Sequence, residues 1–245
     1  MKLINACLVF SLFFLFYGCY SSRLYGLDEF RLESASSEIS LMTMRGNTNL
    51  TNFHLGSGVN MRLVYMDLDA NCSADLSKTS EKISVEKYNL NVQGSKKKLS
   101  WLSRYNSLDW FKDIIAGVEN RYMLETGLIF HIYSSKQNTI WSNFGFSYSY
   151  EERVSEDVKQ SPNAKNSYSY ALKLDNIEFN QTVCGTFDLY DRKNFDISSD
   201  SSVLFRINKI LGIKNTYTME YENEPTRGYK NTNHKIFMSV IFDWR

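Results

Sequence analysis

The sequence predicts an all-β protein: an antiparallel, up-and-down transmembrane β-barrel of about twelve strands, following a cleaved N-terminal leader. Three observations carry this expectation. Apolar and polar residues alternate with period two over most of the chain. Polar breaks divide the alternating stretches into segments near the ~9–11 residues that a tilted strand needs to cross a bilayer. The breaks themselves alternate between short turns and longer charged loops.

The 245 residues suffice for one domain or one barrel. Aromatic residues make up 15% of the chain and there are only two prolines, which favours strands over helices or disorder. With Lys2 lost in a leader, basic and acidic residues balance, so charge gives no reason to expect nucleic acid. The triplet Lys96-Lys97-Lys98 reads as a solvated turn.

The leader comes first. Lys2 is followed by an uncharged apolar run over 3–17 and then small or polar residues over 18–22. The run is shorter than the ~20 residues of a membrane helix and has the order of a secretory signal. The expected organisation is a signal peptide at 1–18, with cleavage between 18 and 26, a short periplasmic segment at 27–35 and the barrel at 36–245. Cys19 follows Gly18 and is a candidate for lipidation, although Phe16-Tyr17 is bulkier than a lipoprotein leader. Plain cleavage at Gly18, or near Ser21 or Gly26, is the alternative. Cys72 and Cys184 read as small apolar strand residues; a disulfide between them is the other option.

The strands follow in order. Phe53, Leu55, Val59, Met61, Leu63 and Tyr65 occupy odd positions against Asn52, His54, Asn60 and Arg62. Tyr122 to Ile132, Ile140 to Tyr150, Tyr168 to Leu174, Ile213 to Tyr221 and Ile236 to Trp244 repeat the pattern. The predicted spans are 36–45, 50–66, 70–79, 84–94, 98–109, 120–133, 138–151, 166–176, 180–190, 201–209, 213–223 and 232–244. Alternate connections are short, at 67–69, 95–97, 134–137, 177–179 and 210–212. The others include long loops at 110–119, 152–165, 191–200 and 224–231. The segment 110–119 is also the nearest approach to a helix, and a loop or single turn accounts for it. Short turns on one rim and long loops on the other are the outer-membrane arrangement.

Period two alone does not say which face meets water. Size favours a wet interior, since ~8 strands already give a barrel filled by side chains. The polar face is rich in Asn, Ser, Thr, Lys and Glu, and Tyr65, Tyr148, Tyr150, Tyr221 and Trp244 sit where interfacial girdles belong. Arg62, Lys87, Glu125, Lys173, Lys214, Glu220 and Asp243 fall on that face and are the candidate lumen charges. The simpler role for each is to hold a wet interior and pair with its neighbours.

Little else points to chemistry. His54, His131 and His234 have no partner at metal-ligand spacing, and no metal or cofactor is expected. His54 and Ser57 are a base and a nucleophile in type, but their odd separation puts them on opposite faces of one strand. Asp67-Leu68-Asp69-Ala70-Asn71 lacks the Gly and closing Glu of a calcium loop and reads as a polar turn. The Asn-x-Ser/Thr triplets at Asn49, Asn71 and Asn180 read as chance.

Ser37-Glu38-Ile39-Ser40-Leu41 followed by Arg45-Gly46-Asn47-Thr48-Asn49 resembles the first hairpin of the bacterial DUF481 family. Arg121-Tyr122-Met123-Leu124 with Gly127-Leu128 is similar to the family's mid-chain strand. The run from Phe144 to Glu152 resembles its Gly-x-Gly-Tyr-x-Tyr-Glu-Glu stretch, and Tyr217 to Tyr221 with Val240-Ile241-Phe242 its last hairpin. The resemblance covers roughly residues 36–245. It implies an outer-membrane barrel described as salt-induced, with outer-membrane lipid and the barrel-assembly machinery as partners. It brings no catalytic residues. Such barrels end on an aromatic residue, whereas this chain ends Trp244-Arg245. The expectation is a non-enzymatic barrel with a structural, stress-related or small-solute permeation role. The alternatives are an outer-membrane lipid-modifying enzyme, or a lipid-anchored soluble barrel that binds a small ligand.

Overall fold

A computed structural model of the chain describes residues 30–45, 50–78, 83–154, 156–225 and 227–244. The leader, Cys19 and the turn around Gly46 lie outside these residues. Twelve strands run in chain order: β1 (Phe30–Arg45), β2 (Leu50–Leu63), β3 (Asp67–Lys78), β4 (Ile83–Leu99), β5 (Leu102–Asp113) and β6 (Val118–Ser134). They continue as β7 (Asn138–Arg153), β8 (Glu156–Leu174), β9 (Ile177–Asp188), β10 (Phe195–Arg206), β11 (Leu211–Glu222) and β12 (Thr232–Trp244). Each strand pairs antiparallel with its neighbours in sequence. β1 also pairs with β12, from Ala35 opposite Trp244 to Arg45 opposite His234, so the sheet closes into a barrel.

Both ends of the described barrel lie at one rim, called here the terminal rim, with turns at 64–66, 100–101, 135–137, 175–176 and 207–210. The opposite, far rim carries the 3-10 turn Ile114–Ala116, Val154, and the connections at 189–194 and 223–231.

The alternation places charge inside and hydrocarbon outside. Ser239 is 1% exposed, and Glu125 and Lys235 are 3% exposed, whereas Leu124 is 64% and Met238 62% exposed. A water-soluble barrel has the reverse arrangement. On β12 the outward series Ile236, Met238, Val240, Phe242 and Trp244 covers about 27 Å of strand at ~3.4 Å per residue. Tilted by ~40°, that approaches the ~25 Å apolar band of an outer-membrane barrel. Tyr65 and Trp101 are exposed at the terminal rim, where Lys96 Nζ stands 5.5 Å over the Tyr65 ring and Trp101 stacks on Phe130 at 6.3 Å.

Several boundaries differ from the sequence expectation. β1 starts at Phe30, inside the segment expected to precede the barrel. The turn expected at 67–69 lies at 64–66, so that Asp67 opens β3, and the turn expected at 95–97 lies at 100–101. The loops expected at 152–165 and 191–200 are largely strand. β7 and β8 form a long hairpin in which Glu151 faces Lys159 and Arg153 faces Glu156, and β10 begins at Phe195. In the last two stretches the inward residues are polar or charged, and the outward ones include Gln160, Pro162, Ser199 and Ser201. Both faces are then polar or small, and alternation loses its contrast. At 110–119, β5 runs on to Asp113, whose carboxylate accepts from the Ala116 amide at 3.1 Å. Gly117 ends that turn at φ 78°, a left-handed conformation suited to glycine.

A close approach on the inner wall fixes the middle of the sheet. Gly127 and Gly145 face each other across β6 and β7, and the Tyr105 ring from β5 lies over both. A Cβ on Gly127 would meet Tyr105 Cε1 at 2.6 Å and the Phe144 carbonyl oxygen at 2.5 Å. Glycine here leaves room for an aromatic ring that covers the bare backbone. Gly127→Ala should therefore destabilise the folded barrel by about 1–3 kcal/mol, read as a lowered urea midpoint. Combined with Tyr105→Ala, the cost should fall short of the two single costs added.

Candidate functional site

The interior is the only chemically distinctive surface that the fold itself builds among the described residues. Inward positions are odd on β3 to β8 and β12 and even on β2 and β9 to β11, and their charged side chains pair in layers along the axis. Under the far rim, Lys87 on β4 donates to Asp113 on β5 at 2.9 Å and reaches Glu220 on β11 at 3.5 Å. Lys235 donates to the same Glu220 at 2.5 Å. Beside them Arg121 and Arg153 both donate to Glu151, and Arg153 extends to Glu222 on β11 at 3.1 Å.

These contacts cross the barrel. In the closed strand order β4 and β11 are five strands apart by the shorter way round, and β7 and β11 are four. At the rim itself, the Tyr229 hydroxyl from the 223–231 connection donates to the Ile114 carbonyl at 3.4 Å. The β5–β6 and β11–β12 connections sit half-way round the barrel from one another. Among these bridges, reaching from the far rim to mid-height, lies a cavity of about 300 Å³, lined among others by Ala116, Asp109, Arg121, Lys165, Glu220 and Glu222.

At mid-height the Tyr105 hydroxyl and Lys165 both donate to Glu125, the latter at 2.8 Å. Towards the terminal rim a second cavity, of about 510 Å³, is lined among others by Glu38, His54, Gly56, Gly58, Lys214 and Asp243. Here Glu38 accepts from Ser239 and, at 2.7 Å, from Lys214. Arg206 joins Glu178 at 2.5 Å to Asp243 at 2.9 Å. His54 donates through Nδ1 to Asp75, and its ring meets Phe237 edge-on at 4.9 Å.

The family model described as "Protein of unknown function, DUF481" matches residues 37–244. The chain belongs to DUF481. No curated protein matches it in sequence. Among solved structures the DUF481 barrel is similar to the NanC porin, at 8% identity and a TM-score of 0.60, covering 84% of this chain and 98% of that one. It is also similar to the KdgM porin in complex with disordered oligogalacturonate, at 8% identity and a TM-score of 0.50, covering 86% and 99%. A bacterial polysaccharide outer membrane secretin gives 8%, 0.50, 86% and 98%. At such identities the likeness is one of fold.

The structure places the candidate charges in two groups. Lys87, Glu125, Lys214, Glu220 and Asp243 lie in the interior pairs just described. Arg62 and Lys173 lie at the terminal rim instead. Arg62 bridges Asp67 at 3.0 Å and Glu33 at 3.3 Å, and Lys173 is exposed opposite Glu178. His54 and Ser57 are not brought together: His54 turns to Asp75, while Ser57 Oγ lies 3.1 Å from Cys72 Sγ. Cys72 and Cys184 are both free thiols, on β3 and β9.

The DUF481 interior also holds residues that sequence reasoning missed, chiefly Asp113, Arg121, Glu151, Arg153, Lys165 and Arg206. Arg121 and Glu151 continue the phase of strands already read, and that phase could have found them. Asp113, Arg153 and Lys165 sit in stretches read as loop. Lys87 is the most consequential single group, because its ammonium is buried between two strands' carboxylates. Removing one partner of a buried pair strands the other's charge, at a cost of about 3–5 kcal/mol. Lys87→Ala should lower the unfolding midpoint accordingly, and Lys87→Met with Asp113→Asn should recover part of the loss.

Proposed function

We propose that this DUF481 chain is a bacterial outer-membrane barrel that lets small polar solutes pass through its interior, without enzymatic chemistry. The observation that carries the reading is the inversion of polarity: buried charge and hydroxyls line the inner wall, and an exposed apolar belt surrounds it. The two cavities, stacked along the axis and lined by ionisable groups, support it further. On this reading lipid covers the belt and the assembly machinery inserts the barrel through its C-terminal strand. A leader over 1–18 is removed on export. The terminal rim with its short turns is periplasmic, and the far rim with its longer connections is extracellular. The bridges from Lys87 to Glu220 and from Arg153 to Glu222 narrow the passage and limit it to small solutes. The oligogalacturonate of the KdgM structure is a long polyanion, and neither the bridged far mouth nor the carboxylates of this interior suit it.

Two measurements test the proposal. Folded protein extracted from outer membranes and placed in a planar bilayer should give discrete, reproducible conductance steps. Glu220→Gln, which weakens a strut across the passage, should enlarge them. Protein that is folded and inserted yet silent would overturn permeation and leave a structural barrel. Separately, a cysteine replacing the exposed Tyr190 at the far rim should react with an impermeant maleimide on intact cells, and one replacing Asn208 should not. The opposite pattern would reverse the orientation.

A further inference from the structure

We infer that the interior selects for cations over anions, with Asp109 and Asp200 as the residues that set the preference; this rests on the permeation reading above. Most interior cations are already matched by carboxylates. Lys87, Arg121, Lys165, Lys214 and Lys235 each lie within 4.0 Å of a carboxylate, and Arg153 and Arg206 each touch two. The field of each such pair falls off quickly with distance, because the two charges cancel. Asp196 sits in a far-rim cluster where three cations, Arg121, Arg153 and Lys159, stand against three carboxylates, Asp196, Glu151 and Glu222.

Asp109 and Asp200 are held differently. Asp109 accepts from the Asn91 amide at 2.6 Å and from the Ser107 hydroxyl at 3.2 Å. Asp200 accepts from the Thr218 hydroxyl at 2.5 Å. These donors are neutral: they fix each carboxylate in place and leave its charge intact. The two strands that carry them, β5 and β10, lie five apart in the closed order and so on facing walls. Both carboxylates act at one height, Asp109 on Lys165 and Asp200 on Cys184, and Lys165 is itself matched by Glu125. Nearer the terminal mouth, Asp69 lies beside Asp67, whose own charge is taken up by Arg62. A passing ion therefore meets fixed negative charge from the mouth to mid-height, within walls of low dielectric that concentrate its field. Facing carboxylates are how cation channels set the sign of what they pass. The solute class that fits is small and cationic: alkali ions, and organic ammonium compounds slim enough for the bridged mouth.

The test is the reversal potential across a KCl gradient at low ionic strength, where fixed charges are least screened. The native protein should favour K⁺ over Cl⁻ by about threefold or more. The double variant Asp109→Asn/Asp200→Asn keeps the hydrogen-bond acceptors, and its ratio should fall towards one while conductance steps persist. Heat-shifted gel mobility confirms that the variant is folded. A native ratio at or below one overturns the inference while permeation stands. A ratio that the double variant leaves unchanged removes Asp109 and Asp200 as its cause. Complete silence from folded, inserted native protein defeats permeation itself, and the inference with it.

Discussion

The ladder between β1 and β12 joins Ala35 through Arg45 to Trp244 through His234 and leaves the sheet without a free edge. Along the paired registers the ladder amides and carbonyls then find partners within the wall, the condition for backbone to sit in hydrocarbon. Closure also divides the chain's side chains into two populations that cannot exchange. Because strand side chains alternate strictly, fixing Leu124 and Met238 outside fixes Glu125 and Ser239 inside. The apolar belt and the charged interior are thus one property of the sequence, expressed on two surfaces.

That division makes the interior's electrostatics a matter of pairing. A lysine or arginine held off bulk water costs several kcal/mol unless a counter-charge and hydrogen bonds offset it. The inner wall offers counter-charges on the same strand, on adjacent strands and across the axis, and the structure uses all three. Arg153 pairs with Glu151 on its own strand, Lys235 with Glu220 on the next, and Lys87 with Glu220 across the barrel. The cross-axis contacts act as struts: they resist ovalisation of a wide barrel and occupy the space they span. Stability of the far half and free width of the interior therefore trade against each other at the same residues.

The sequence made the twelve strands legible wherever outward residues are large and apolar, as from Tyr122 to Ile132 or from Ile236 to Trp244. It failed where both faces are polar or small. Glu156 to Lys165 reads as a charged loop because Lys159, Asn163 and Lys165 point inward while Gln160 and Pro162 point out. It also placed five of the seven candidate charges in the interior, since phase alone decides facing. Arg62 and Lys173 have the right phase but sit at the rim, a distinction of height that alternation does not encode. Partners were not legible at all. Lys87 and Glu220 are 133 residues apart in the chain, and only the tilt and stagger of a closed barrel bring them within reach.

Interior charges differ in what each can do. A carboxylate spent on an arginine holds strands in place and contributes little field beyond its pair. One held by an amide or hydroxyl is positioned as firmly and keeps its charge. Glu151, gripped by Arg121 and Arg153, belongs to the first kind, and Asp200, gripped by Thr218, to the second. Both look alike in sequence, as acidic residues on the polar phase of a strand. Composition near neutrality is therefore a poor guide to what a barrel admits, because most of its charges cancel in pairs and the remainder sets the sign.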